Sequence, residues 1–201
     1  MTLELRRLRA ALILDAEDAY AREQRTAGPH PRPLGRLAYH VITGGRPVPL
    51  TVIRNPSGYH LCYRLHLPPG DYTLRTEGEH YQPVEQPLTL PATAPVRVDL
   101  WPGVTYPFAG AAPPGRRRLA LLRGGVVTGA ARAPVRGATV SVAGWPRTYV
   151  TGRDGQWVIP GPPGATAADV TATLPGGATQ TRTGVPIRTD RDSTTVDQFR
   201  F

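Results

Sequence analysis

The sequence predicts an all-β protein: two tandem β-sandwiches behind an irregular N-terminal arm. Three observations lead there. A pattern occurs twice, first as Leu67-Pro68-Pro69-Gly70-Asp71-Tyr72-Thr73-Leu74 and again as Ile159-Pro160-Gly161-Pro162-Pro163-Gly164 followed by Val170-Thr171-Ala172-Thr173-Leu174. Each copy reads as a strand, a Pro-Pro-Gly turn, a second strand and a glycine-marked stop. Gly 22 and Pro 23 together exceed a fifth of the 201 residues, and they punctuate alternating apolar runs, as in a turn-rich β protein. Short strands recur about every 8–12 residues, the spacing of a sandwich.

Residues 1–35 are expected to form the arm and a first strand. Leu12 and Leu14 alternate within a strand near residues 8–15, although Leu5, Leu8, Leu12 and Ala19 equally fit a short helical stripe. Glu17 to Gln24 is polar, and Gly28-Pro29-His30-Pro31-Arg32-Pro33 is irregular, so a long loop is expected. The first sandwich spans 36–103. Leu37 to Ile42 is a strand stopped by Gly44-Gly45, and Leu50 to Ile53 is a strand stopped by the turn Asn55-Pro56-Ser57-Gly58. Tyr59 to Leu67 alternates, with Leu61, Tyr63, Leu65 and Leu67 on one face. Asp71 to Thr76 turns Tyr72 and Leu74 inward. Val84 to Leu90, interrupted by Pro87, is an edge strand. Val96, Val98 and Leu100 close the unit.

Residues 104–118 read as a proline-rich linker, and 119–201 as the second sandwich. Leu119 to Val127 is a strand in which Gly124-Gly125 marks a bulge. Pro134 to Ala138 turns into Thr139 to Val142. Thr148 to Thr151 and Gln156 to Ile159 form a hairpin around Arg153-Asp154-Gly155. Asp169 to Leu174, Thr179 to Ile187 and Thr194 to Phe199 complete the count.

Composition narrows the function classes. The lone Cys62 excludes an intrachain disulfide and reads as a small buried hydrophobe. No apolar run reaches about 18 residues, so no membrane-spanning helix is expected. The N-terminus lacks a signal-peptide core, which makes the cytoplasm the expected location. All 24 basic residues are arginine and the net charge is +9. That charge could attract nucleic acid or an acidic surface. The arginines are scattered, however, and no recognition helix, zinc spacing or aromatic RNA-binding motif accompanies them, so nucleic acid is not an expected partner.

The residues of the second sandwich resemble a known family. Gly125-Val126-Val127, Pro134-Val135-Arg136-Gly137-Ala138-Thr139-Val140-Ser141-Val142 and Thr151-Gly152-Arg153-Asp154-Gly155-Gln156-Trp157-Val158 are similar to the carboxypeptidase regulatory-like domain. The resemblance covers about residues 119–201 and implies a transthyretin-like, Ig-like sandwich of about seven strands. Gly152 stands where the family often has Asp, and Trp157 replaces a common Phe or Tyr. The first sandwich looks like a diverged relative. Its Asn55-Pro56-Ser57-Gly58-Tyr59 and Leu67-Pro68-Pro69-Gly70-Asp71-Tyr72 resemble a version associated with phage tails and contractile injection systems. Fold alone does not fix function.

The named domain is the accessory part of such peptidases, and catalytic chemistry is missing from this sequence. There is no His-x-x-Glu or His-Glu-x-x-His pattern. His60 and His66 would share a strand face but lie about 20 Å apart, too far to hold one metal. His80 with Glu77 and Glu79 reads as a solvated loop. No serine is paired with a histidine, no phosphate loop is present, and Asp154 lacks the further oxygens that calcium needs. No catalytic residue, cofactor or metal is expected. The expectation is a non-enzymatic structural or adaptor subunit of a multi-protein assembly, with a phage-tail-like contractile particle implied by the resemblance. Its partners would be protein subunits. The candidate contact residues are Trp101, Tyr106 and Phe108, the cluster Arg116, Arg117 and Arg118, and Trp145; the other reading of the three aromatics is packing along a domain edge, since exposed linkers rarely carry so many. The alternative is a carbohydrate- or surface-binding module using Trp145 and neighbouring aromatics: Trp145, Tyr149 and Trp157 could form a stacking platform for a glycan, but the resemblance equally gives Trp157 a core position, which leaves Trp145, at a strand end, as the better exposed contact.

Overall fold

A computed structural model describes residues 10–24, 31–107 and 118–201. It divides into two compact units, one of Met1–Ala19 with His30–Trp101 and one of Tyr20–Pro29 with Pro102–Phe201. Both are β-sandwiches, so the predicted fold class holds.

In the first unit, strands β1 (Leu12–Asp18), β4 (Ile53–Arg54), β5 (His60–Cys62) and β8 (Val96–Leu100) form one sheet in the order β4-β5-β1-β8. Strands β2 (Leu37–Thr43), β3 (Arg46–Pro49), β6 (Gly70–Gly78) and β7 (Tyr81–Leu90) form the other, in the order β3-β2-β6-β7. β1 runs antiparallel to β5 and parallel to β8. Gly44 and Gly45 both take positive φ, 55° and 75°, which closes the β2–β3 hairpin with two residues. Leu14, Val41, Leu74, Val98 and Leu100 are fully buried between the sheets.

The second unit repeats this connectivity. Strands β9 (Leu121–Thr128), β10 (Ala133–Pro134), β13 (Gln156–Pro160), β16 (Ser193–Thr195) and β17 (Phe199–Arg200) make one sheet around β9. Strands β11 (Thr139–Val142), β12 (Thr148–Val150), β14 (Ala167–Thr173) and β15 (Thr179–Pro186) make the other, in the order β12-β11-β14-β15. β9 runs antiparallel to β13 and parallel to β16 and β17, as β1 does to β5 and β8. β11 pairs with β12 and β14, as β2 pairs with β3 and β6. Both Pro-Pro-Gly turns carry the chain from one sheet to the other, from β5 to β6 and from β13 to β14. The sequence repeat therefore marks a duplicated sandwich.

Several expectations are corrected. The first strand, expected near residues 8–15, is present but runs over Leu12–Asp18. β1 is a middle strand of its sheet, and Glu17 and Asp18 are buried in it instead of solvated in a loop. Their charges are matched: Glu17 Oε2 lies 2.9 Å from Arg97 Nη2, and the Tyr81 hydroxyl donates to Asp18 Oδ2 at 2.8 Å. A short helix, α1 (Ala19–Gln24), follows, and from Tyr20 onward it counts with the second unit. There the Tyr20 hydroxyl donates to Leu119 O at 3.2 Å. The Gln24 amide donates to the same carbonyl at 2.6 Å and accepts from Arg118 N at 2.9 Å. Residues 104–107, read as linker, also belong to that unit.

β5 buries His60 and the expected Cys62, not the apolar row of Leu61 and Tyr63. His60 and Cys62 point inward because they stand across from Leu14 and Leu12, while Tyr63 is exposed. β3 was not anticipated. Arg153-Asp154-Gly155 is no hairpin turn, because β12 and β13 lie in different sheets. Gly124 and Gly125 stay in register with Trp157 and Gln156. The irregularity lies across from them, where residues 196–198 face only these two glycines between the β16 and β17 pairings. Gly124 is required by close approach: a Cβ there would lie 2.7 Å from Trp157 Cζ2 and 3.0 Å from Val196 O.

Candidate functional site

The predicted contact residues scatter. Trp101 is 7% exposed and Tyr106 4%, so neither ring is offered to a partner. Tyr106 instead packs edge-on against Tyr20 at 5.7 Å. Phe108, Arg116 and Arg117 lie outside the described residues. Arg118 is exposed and lines an open cleft of about 560 Å³ with Pro163, Gly164 and Ile187. Trp145 is half-buried in the β11–β12 loop. The aromatic platform does not form: Tyr149 and Trp157 are buried, in opposite sheets. Burial raises the Tyr149 hydroxyl pKa, with Asp154 adding to the effect.

Inside the first unit the Tyr39 hydroxyl meets His60 Nδ1 at 3.0 Å and bridges the two sheets. Burial lowers the His60 pKa, and the Arg54 and Arg32 charges lower it further. Burial raises the Cys62 thiol. These groups are enclosed structural elements. His66 is exposed and beyond the end of β5, so it shares no site with His60. Among the described residues, no group of three His, Cys, Asp or Glu side chains could hold a metal ion, and no helix is long and apolar enough to cross a membrane.

A distinctive surface lies on sheet β12-β11-β14-β15. Its register aligns Val150, Thr139, Thr173 and Thr179 in one row and Thr148, Ser141, Thr171 and Thr181 in the next. These eight side chains point outward, because Val140, Val142, Tyr149, Val170 and Ala172 alternate with them and are buried. Seven carry hydroxyls and none is charged. The Thr171 and Thr181 hydroxyls meet at 3.0 Å, and those of Thr173 and Thr179 at 3.3 Å. Asp169, which accepts from Gly184 N at 2.9 Å, marks one end of the field. The equivalent face of the first unit is charged: Pro49, His40, Arg75 and Glu85 share a row, and Arg75 also reaches Glu77 at 2.6 Å.

The edges of the two sheets differ in the same way. An edge-strand residue in a non-hydrogen-bonded pair turns its own N–H and C=O away from the sheet. Leu174 N donates to Ala178 O at 2.8 Å, which fixes the phase of β15. Gln180 and Arg182 bond to β14, and Thr179 and Thr181 face outward, where their hydroxyls meet those of the closely spaced partners. Likewise Thr151 N donates to Ala138 O, leaving Thr148 and Val150 outward on β12. In the first unit the outward positions of β3 hold Pro47 and Pro49, residues with no N–H to offer, and those of β7 hold Pro87 between Glu85 and Thr89, so the row of outward donors is broken there. The terminal strands are capped by side chains: Gln86 donates to Arg97 O at 2.8 Å, Arg182 donates to Gln198 O at 2.9 Å, and Gln180 pairs with both N and O of Arg200. Sequence reasoning missed Thr148, Val150, Thr179 and Thr181. The signal available was their period-two spacing without an intervening proline.

Residues 123–200 match the family model for the carboxypeptidase regulatory-like domain, which bears out the resemblance read from their motifs. No curated protein matches the sequence. Among solved structures, the Bacillus anthracis TIE protein is similar at 10% identity and a TM-score of 0.32, over 96% of this chain and 33% of that one. This chain thus spans a third of that protein. The shaft pilin SpaA from Lactobacillus rhamnosus GG is similar at 9% identity and a TM-score of 0.30, over 94% of this chain and 95% of that one. A minor pilin of Streptococcus agalactiae is similar at 11% identity and a TM-score of 0.29, over 94% of each chain.

Proposed function

We propose that this chain is a non-enzymatic structural or adaptor subunit, made in the cytoplasm, that docks protein subunits of a larger assembly through sheet β12-β11-β14-β15. One observation carries the reading: both edges of this sheet keep an unbroken row of outward backbone donors, where the duplicated sheet of the first unit has only prolines outward on β3 and Pro87 interrupting β7. Natural sheets guard exposed edges because unpaired strands recruit other chains. An edge left unguarded in one copy and guarded in its duplicate is suited to strand addition. The assembly we favour is a phage-tail-like contractile injection particle. Support for that choice is the resemblance carried by Asn55–Tyr59 and Leu67–Tyr72. A glycan-binding role has less support, since Tyr149 and Trp157 are withdrawn from the surface.

The experiment is isolation of particles from cells that make this protein at native levels. Mass spectrometry should find the chain at a fixed ratio to sheath and tube proteins. Its absence from every such particle, with the chain recovered in another complex, would move the reading to that complex. Recovery as a free monomer would remove it.

A further inference from the structure

The open edge of β15 has a shape and charge pattern that match themselves. Its outward residues, Thr179 and Thr181, are β-branched and neutral, a combination that suits strand pairing. Beyond them the register shifts at Thr183 and Gly184, where Gly184 takes φ +63°, so the regular ladder ends there. Only a short partner ladder fits. A charged partner strand would find no complementary charge on the exposed face of these positions, whereas a copy of β15 supplies threonine against threonine.

We propose that β15 pairs antiparallel with β15 of a second copy of this chain, about a twofold axis through Gln180. In this register Thr179 of each copy bonds to Thr181 of the other, giving about four backbone hydrogen bonds, two per bonded pair. Arg182 then faces Ala178 of the other copy, so no arginines meet. The contact is isologous, as closed twofold dimers require. It joins two four-stranded sheets into one of eight strands and continues the hydroxyl rows across the seam. The β12 edge is the lesser candidate, because Thr148–Val150 is only three residues long. The proposal rests on the reading of this sheet as a docking surface, but it is tested on the isolated chain. Its failure therefore leaves membership of the assembly to be decided separately, by particle isolation.

The test is sedimentation velocity of the full chain across a wide concentration range. The wild type should shift from monomer to dimer. Thr181→Pro removes an outward N–H that no bond within the sheet uses, so it should abolish the dimer and leave far-UV circular dichroism unchanged. Thr148→Pro, on the opposite edge, should leave the dimer intact. A wild type that stays monomeric throughout overturns the proposal, as does association that survives Thr181→Pro or is lost equally with Thr148→Pro. Should Thr181→Pro unfold the chain, amide exchange in the wild type decides. The Thr179 and Thr181 amides should gain protection as concentration rises, and amides that exchange equally fast at all concentrations would refute the pairing.

Discussion

The two sandwiches share a connectivity and solve it with different chemistry. The first joins its sheets through a polar contact, with Tyr39 on β2 bonded to His60 on β5, where its central strand presents Leu14. The second fills the corresponding strand with an indole. Trp157 on β13 lies against Gly124, with its ring 6.3 Å from that of Phe199. The first covers its outer sheet with ion pairs, blocks the β3 edge with prolines and interrupts the β7 edge with one. The second presents hydroxyls and leaves its edges open. A topology held constant across a duplication shows which features the fold requires: an inward apolar row, a parallel terminal strand and a crossover at Pro-Pro-Gly. The outer face and the edges are free to diverge, and there a function can be added without disturbing the core.

The largest expected effect tests how far the second core depends on one ring. Trp157→Ala should cost about 3–5 kcal/mol, through lost burial and a cavity beside Gly124. Hydrogen exchange should accelerate in β9 and β13 while β1 and β5 keep their protection. Equal loss in both units would break the division between them. Gly124→Ala attacks the same contact from the other side and should cost about 1–3 kcal/mol by overpacking, read as a lower urea midpoint.

In the first unit the matching weak point is polar and depends on pH. Tyr39→Phe leaves His60 without its partner and should cost about 1–3 kcal/mol. The folded His60 pKa lies below its ordinary 6.5, so the unfolded chain binds the proton more readily. Stability should be complete above about pH 6.5 and fall as pH drops toward the folded value. Urea midpoints should decline across that window in the wild type and flatten in His60→Gln.

The smallest effects compare the two outer faces. Arg75→Ala, in the charged face, should cost roughly 0–1 kcal/mol and less in high salt. Thr171→Ala, in the hydroxyl face, should cost about 0.2–1 kcal/mol whatever the salt. The same salt response in both would erase the distinction.

Local pattern alone determined most strands. β8 was legible from Val96, Val98 and Leu100, β2 from its glycine stop, and the edge position of β7 from Pro87, because period-two alternation and turn chemistry depend on neighbours a few residues away. The candidate site was scarcely legible. Trp101 and Tyr106 stood as candidate contacts, with packing against the protein as the other reading, and they are buried; Thr179 and Thr181 were ordinary strand residues until their edge position was known. Only the tertiary structure decided that Glu17 and Asp18 could be buried, since Arg97 and Tyr81 come from strands some 60 to 80 residues away. It alone set the inward face of β5, the placement of β12 and β13 in opposite sheets, and the phase of each edge. These depend on which strand lies beside which, and pairing between distant segments is fixed by the closing of the whole sandwich, not by any local run of residues.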